Sequence, residues 1–228
     1  MNDLLYNKKI ICPVCNREIE VTKVKTKACR VSSRDTDMCV HYENLNVLFY
    51  DVWVCEKCGY AALQDKFEGL FTKDIKIIKD KISSHWIQRS FAGERDVDKA
   101  IEAFKLALLT LKVRNAKSSE IAKVCLRIAW LYRDKSDPKE IEFLNFALTS
   151  YNEAYSKERF PLDKLDEITC MYIIAELFRR VGKFDDAILW FSRIVSSAEA
   201  RSKPQLIDMA RDQYQLAKDQ LAASQVKA

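Results

Sequence analysis

Two pairs of cysteines near the start of the chain have the spacing of a metal site. Cys12 and Cys15 form the first C-x-x-C pair, and Cys55 and Cys58 form the second after 39 intervening residues. A tight C-x-x-C turn presents two thiolates to one ion, and tetrahedral Zn²⁺ takes four such donors at about 2.3 Å. Two turns therefore complete one coordination shell. The spacing predicts a structural Zn²⁺ site.

Catalytic uses of these cysteines fit the pattern less well. A thioredoxin-type pair lies at a strand-to-helix turn of a βαβ unit, whereas both pairs here adjoin predicted strands. A catalytic zinc keeps an open position for water, usually with His, Asp or Glu among three protein ligands, and four thiolates close that position. The sequence also shows no phosphate-binding loop and no nucleophile paired with a base. We therefore expect that the chain is not an enzyme.

Cys39 and His41 lie between the two pairs and are weaker candidates for metal ligands. The segment DMCVHY that holds them can supply a second metal position or replace one ligand of the first. Alternatively, Cys39 packs as a small apolar side chain, which is the usual role of a free cysteine and the interpretation that we favour. Cys29 has no partner at ligand spacing. Both interpretations of Cys39 and His41 stay open at this point.

Several motifs in fixed order resemble a known family. They are CPVC at 12–15, the R-x-x-x-R pattern at 30–34, RDTDMC at 34–39, YDVWVC at 50–55 and CGYAA at 58–62. Together they resemble the uncharacterised bacterial family called domain of unknown function 2225, closely over the first 70 residues and in general layout beyond them. Family members typically have Pro after the third cysteine and Phe before the central cysteine, where this chain has Glu56 and Met38. The resemblance implies a zinc-ribbon-like module followed by tetratricopeptide-like helices, and it implies no reaction.

The elements that must position the cysteines differ on the two sides of residue 70. Residues 18–25 alternate apolar and polar side chains, and residues 48–55 are rich in β-branched and aromatic residues, so both segments predict strands. Beyond them, a helical period and only four glycines and four prolines in the whole chain predict long helices. We expect an α+β, mostly α fold. A zinc-ribbon-like module would occupy residues 1–70, and a tetratricopeptide-like helical repeat domain would occupy residues 71–228.

A recurring triad of small and aromatic residues indicates the helical repeats. The three copies are Ala100, Phe104 and Ala107, then Ala147, Tyr151 and Ala154, and finally Ala187, Phe191 and Ile194. This order is typical of the second helix of a tetratricopeptide repeat, where small residues let helices approach and the aromatic ring fills the gap. The copies are spaced by more than the usual 34 residues or so, which predicts stretched repeats.

Charge is concentrated in the middle of the chain. Residues 72–135 carry fifteen Lys or Arg against eight Asp or Glu, a net charge of +7, whereas residues 1–71 are balanced at ten of each. Residues 136–228 carry thirteen against fifteen, a net charge of −2. The basic middle segment is a candidate for binding nucleic acid. The N-terminal region is a weaker candidate, because four thiolates on one Zn²⁺ would leave it near neutral or slightly acidic.

The compartment and the partners follow from composition. No apolar stretch approaches the roughly 18 to 20 residues of a membrane span, and the first residues lack the order of a signal peptide. Eight cysteines in a chain with long helical patterns favour reduced thiols over disulfides. We expect a cytoplasmic protein with no membrane contact, and the sequence leaves its oligomeric state open. The leading hypothesis is an adaptor that binds a protein or peptide through its helical repeats, and the alternative is nucleic-acid binding through residues 72–135 with the zinc ribbon.

Overall fold

The computed structural model describes residues 3–226, which adopt an α+β fold that is mostly helical. Within this range, three small antiparallel strand pairs come first and seven α-helices follow. The predicted fold class is therefore confirmed. No helix among these residues has both the length and the apolar composition needed to cross a membrane.

Two compact units account for most of the packing. The first unit comprises residues up to 35, then 40–116 and 127–140, and the second comprises residues 36–39, 117–126 and those from 141 onwards. The chain thus passes between the units several times. The division into domains at residue 70 stays a prediction, because compact packing is not a measure of which segments fold alone.

The strands lie in the first unit and form three hairpins. Strand β1 (Leu5–Ile11) pairs with β2 (Glu18–Val24), β3 (Val31–Arg34) with β4 (Val40–Tyr42), and β5 (Val52–Val54) with β6 (Ala61–Leu63). The predicted strand over 48–55 is shorter than expected. Its first part is a 3₁₀ turn at Val47–Tyr50, because the Asn46 side chain accepts a hydrogen bond from the backbone N–H of Leu48 and caps the turn.

The core of the first unit encloses the cysteines. Ile10, Ile19 and Val21 from the first hairpin pack with Trp53, Tyr60 and Phe67, and Ile78 and Ile82 join them from the helical side. Ile78 belongs to helix α1 (Thr72–Lys81), which is followed by α2 (Val97–Val113). Three of the four paired cysteines lie in this same cluster, so the candidate metal ligands are part of the core and not of a surface loop.

The remaining helices follow in chain order. They are α3 (Ser118–Asp134), α4 (Lys139–Lys157), α5 (Glu167–Arg180), α6 (Phe184–Ser196) and α7 (Pro204–Val226). The predicted triads fall on α2, α4 and α6, and all nine side chains are buried. Helices α5 and α6 form a hairpin whose turn holds Gly182 at a φ of 80°, and they pack with α7 in the second unit. The triads are therefore packing positions in both units.

Candidate metal centre

The first cysteine pair lies on a tight turn between β1 and β2. The backbone N–H of Asn16 donates to the carbonyl of Cys12 at 2.8 Å, and the N–H of Cys12 donates to the carbonyl of Arg17 at 3.0 Å. Asn16 has a φ of 56°, in the left-handed region that asparagine tolerates better than most residues. The backbone alone therefore brings Cys12 and Cys15 to one side of the turn.

The second pair repeats this geometry between β5 and β6. The N–H of Gly59 donates to the carbonyl of Cys55 at 2.8 Å, and the N–H of Cys55 donates to the carbonyl of Tyr60 at 2.7 Å. Gly59 has a φ of 76° and occupies the position that Asn16 holds in the first turn. The two turns are thus alike in hydrogen bonding and in the left-handed residue that follows the second cysteine.

The four sulfur atoms form one compact group. Cys12 Sγ lies 3.7 Å from Cys58 Sγ, Cys15 Sγ lies 3.7 Å from Cys55 Sγ, and all four lie within 4.8 Å of one another. A tetrahedral site with Zn–S bonds of about 2.3 Å has edges of about 3.8 Å, whereas a disulfide is only about 2 Å long. The arrangement therefore fits four ligands of one ion, and we call it the cysteine cluster.

Burial and electrostatics also suit a cation. Cys12, Cys55 and Cys58 are buried and Cys15 is partly exposed. The neighbouring thiols of Cys55 and Cys58 lower the pKa of Cys12, and the contact with Cys12 raises the pKa of Cys58. A bound metal would replace the thiol protons and stabilise all four thiolates.

The turn backbones stabilise the thiolates too. Backbone hydrogen bonds at Cys15 and Val14 act to lower the pKa of Cys12, although the neighbouring thiols have the larger effect. Backbone N–H groups around a thiolate are the usual environment of a zinc knuckle, because they offset charge that four sulfurs bring to one ion. The residues present therefore fit Zn²⁺, which would hold the two turns together and add no reactive position.

Trp86 covers the second turn, which no sequence motif indicated. Its indole Nε1 donates to the backbone carbonyl of Glu56 at 2.7 Å. Its ring lies so close to Gly59 that a Cβ there would be 2.5 Å from Cε3 of the indole. The only signal in the sequence was Gly59, which follows Cys58 and permits both the left-handed backbone and the close contact with the ring.

Cys39 and His41 are not part of the cysteine cluster. In the first unit, His41 Nε2 lies 3.0 Å from Oδ1 of Asp35, and the other carboxylate oxygen of Asp35 accepts a hydrogen bond of 2.7 Å from Arg133. Cys39 is buried and belongs to the short segment of residues 36–39 that packs in the second unit. Burial agrees with the packing interpretation of Cys39. A role for either residue as a metal ligand stays a prediction.

Comparison with known proteins places the chain in a family. The family model described as "Uncharacterized protein conserved in bacteria (DUF2225)" matches residues 5–217. The chain belongs to this family. The resemblance predicted from the sequence motifs is confirmed, and the match to DUF2225 includes both cysteine pairs and extends into α7. No curated protein and no solved structure matched the chain. The DUF2225 description names no reaction.

Proposed function

We propose that the chain is a non-enzymatic adaptor that contains one structural zinc ion and binds a protein or peptide partner through its helices. The observation that carries the proposal is the cysteine cluster, whose four sulfurs lie within 4.8 Å of one another. Four thiolates fill a tetrahedral shell and leave no position for water or substrate. The ion would instead contribute folding free energy, on the order of 10 kcal/mol for such sites.

The helices of the second unit support the binding role. Buried triads on α4 and α6 hold the helices together, as in tetratricopeptide-like arrays, and leave their outward faces for contact. Two leucines on helices of the second unit are exposed, Leu189 on α6 by 50% and Leu216 on α7 by 39%. Exposed apolar side chains on a helical scaffold are surface that a partner can bury with a gain in free energy. A cytoplasmic location agrees with the proposal, since a thiolate site persists where thiols stay reduced.

The adaptor role is tested by photo-crosslinking in cells. A photo-reactive amino acid at Leu189 is expected to give protein adducts of defined mass. The same amino acid at Asp212, an exposed charged position on α7, serves as the control and should give few or none. If both positions give the same adducts, or none, the helices do not act as the partner surface proposed here.

Nucleic-acid binding is the alternative, and one observation favours it. The solvent-facing side of α1 carries Lys73, Lys76, Lys79 and Lys81, all exposed. Some other cations of the basic segment are engaged within the first unit, as Arg127 is with Asp51 at 2.9 Å, so these are less free to contact phosphate. The crosslinker at Lys73 distinguishes the two roles: adducts with RNA or DNA there would support the alternative. Affinity for nucleic acid should also fall steeply with salt if phosphate contacts dominate it.

A further inference from the structure

Residues 36–39, with the sequence Thr-Asp-Met-Cys, lie against helix α5 of the second unit in the manner of a bound peptide. We call them the docked segment. Tyr172 donates its hydroxyl hydrogen to the backbone carbonyl of Thr36 at 2.9 Å. The hydroxyl of Thr36 donates in turn to Glu176 at 2.6 Å. Both a backbone group and a side chain of the segment are therefore recognised by α5.

The two carboxylates at this contact, one on α5 and one in the docked segment, are buried. Glu176 is fully buried and accepts hydrogen bonds from Arg179 at 2.6 and 2.8 Å and from Arg180 at 2.8 Å. Asp37 is fully buried as well, and its carboxylate lies 3.4 Å from Nε of Arg180. A carboxylate is costly to bury unless a cation or several donors compensate for lost water. Arg180 is therefore the group on α5 that allows an acidic residue to enter this site.

Met38 provides the apolar contact of the docked segment. Its side chain packs against the hydrophobic cluster of α5, α6 and α7, which includes Tyr172 and Phe191. Its backbone has a φ of 70°, a left-handed conformation that residues with a Cβ rarely adopt. The contacts with the helices, and not the preference of the residue, must therefore hold Met38 in place. Methionine is also a flexible side chain that suits irregular apolar surfaces.

We propose that the docked segment occupies a peptide-binding site of the second unit. The site takes a partner peptide that forms a turn, in which a hydroxyl residue is followed by Asp and then by a flexible apolar residue such as Met. This inference rests on the proposed adaptor function, because it names the surface and the chemistry of the partner. In the resting chain the docked segment is an internal competitor for that partner.

The competition has a quantitative consequence. A tethered segment is present at an effective concentration of about millimolar, so even weak intrinsic binding keeps it docked. A partner can bind only the small fraction of chains in which the site is open. Its apparent affinity is therefore reduced in proportion to that fraction. If the segment is open in about one chain in a hundred, weakening it should tighten partner binding up to about a hundredfold.

The first experiment measures peptide binding to the full-length chain by fluorescence anisotropy. The probe is a fluorescein-labelled peptide with the sequence of residues 33–41, in which serine replaces the cysteine. The double variant Asp37→Ala with Met38→Ala is expected to bind this probe at least tenfold more tightly than the unmodified chain. A probe with alanine in place of its Asp and Met should not bind. The double variant Ser32→Ala with Ser33→Ala, at exposed positions outside the segment, should behave like the unmodified chain.

A folded Asp37→Ala, Met38→Ala variant that fails to bind the probe would overturn the inference. A second measurement on the unmodified chain does not depend on that variant. Cys39 is only 6% exposed, so displacement of the docked segment should expose its thiol. Excess unlabelled probe is expected to accelerate N-ethylmaleimide labelling of Cys39 at least tenfold, followed by mass spectrometry. Unchanged labelling at millimolar probe would show that the segment is purely structural. Partner adducts at Leu189 without probe binding would overturn this inference and leave the adaptor proposal standing.

Discussion

Asn16 and Gly59 have equivalent positions in the two cysteine turns, but they differ in the side chains that surround them. Both have a left-handed backbone, but only Gly59 is in contact with the indole of Trp86. Because Trp86 also donates to Glu56 within the same turn, the ring is fixed on two sides and has little room to move. At the scale of single residues, the geometry of the cysteine cluster depends on the absence of one methyl group at position 59.

We predict that Gly59→Ala lowers the free energy of unfolding by roughly 2 to 4 kcal/mol. About 1 kcal/mol comes from the left-handed backbone and the remainder from overpacking against Trp86. Gly93→Ala is the matched control, since Gly93 also has a positive φ of 84°, but a Cβ at this position would have no atom of the described residues within 4 Å. Gly93→Ala should lower the free energy of unfolding by only about 1 kcal/mol. Urea unfolding of the two variants measures both values, and equal losses would contradict the role assigned to Trp86.

We predict that Cys12→Ser and Cys58→Ser abolish stoichiometric zinc binding. Each substitution removes one thiolate from a shell that needs four, and serine oxygen is a poor replacement for sulfur. Cys29→Ser should keep about one zinc per chain, because Cys29 is not among the clustered cysteines. Elemental analysis of protein purified without added zinc gives the stoichiometry. Zinc content should also fall as the pH is lowered, since protons compete for the thiolates. Retention of metal by both cluster variants would rule out the site.

At the scale of secondary-structure elements, one side chain at a helix end stabilises the whole of α5. Asp166 caps α5 by accepting a hydrogen bond from the backbone N–H of Thr169 at 3.1 Å, and it also pairs with Lys203. Burial acts to raise the pKa of Asp166, but hydrogen bonds from Lys203 and Thr169 outweigh it and lower the pKa to about 2. The cap therefore connects the start of α5 to the residue that precedes α7.

We predict that Asp166→Ala destabilises the chain by about 1 kcal/mol at pH 7, as loss of a helix cap usually does. The folded-state pKa of Asp166 lies below the unfolded value of about 3.9. Its ionised form therefore contributes stability above about pH 4, and this contribution is lost as the pH falls through about 2. Asp166→Asn, which keeps the cap but not the charge, should show a smaller dependence on pH in this range. Thermal unfolding of both proteins at several pH values measures this dependence. Identical pH profiles for Asp166→Asn and the unmodified chain would refute the stabilising role of the Asp166 charge.

At the scale of the whole molecule, the four clustered cysteines are confined to one unit. The core of the first unit contains Cys12, Cys55 and Cys58, whereas the hydrophobic cluster formed by α5, α6 and α7 contains none of the four. Metal binding is coupled to folding only where the ligands are. The two units should therefore respond differently to loss of the ion.

We predict that a strong chelator lowers the thermal midpoint of the chain and splits its unfolding into two transitions. The first unit should melt early, while a share of the helical circular dichroism signal remains because α5, α6 and α7 keep their own core. Added Zn²⁺ should restore the original midpoint, and Mg²⁺ at the same concentration should not, because it prefers oxygen ligands. A single transition that removes all helical signal would contradict this prediction.

The features that the sequence determined by itself are those formed by residues close together along the chain. Two C-x-x-C pairs encode tight turns within a few residues, and the triads of α2, α4 and α6 encode helical packing through a regular period, so both could be predicted. The four cysteines predicted to come together do so in the structure. These features depend on neighbours along the chain, where spacing alone decides geometry.

Only the tertiary structure decided what surrounds these features. Trp86 contacts a turn 30 residues earlier in the chain, and Thr36 donates to Glu176 across 140 residues. No local pattern relates such pairs, because each depends on how separate elements pack and not on any period of the sequence. For the same reason, the motif RDTDMC indicated the family, but the docking of its residues 36–39 against α5 could not be predicted from the sequence. The sequence determined the spacing of the four cysteines, whereas packing determined which residues cover the cysteine cluster and which segment lies against the helices.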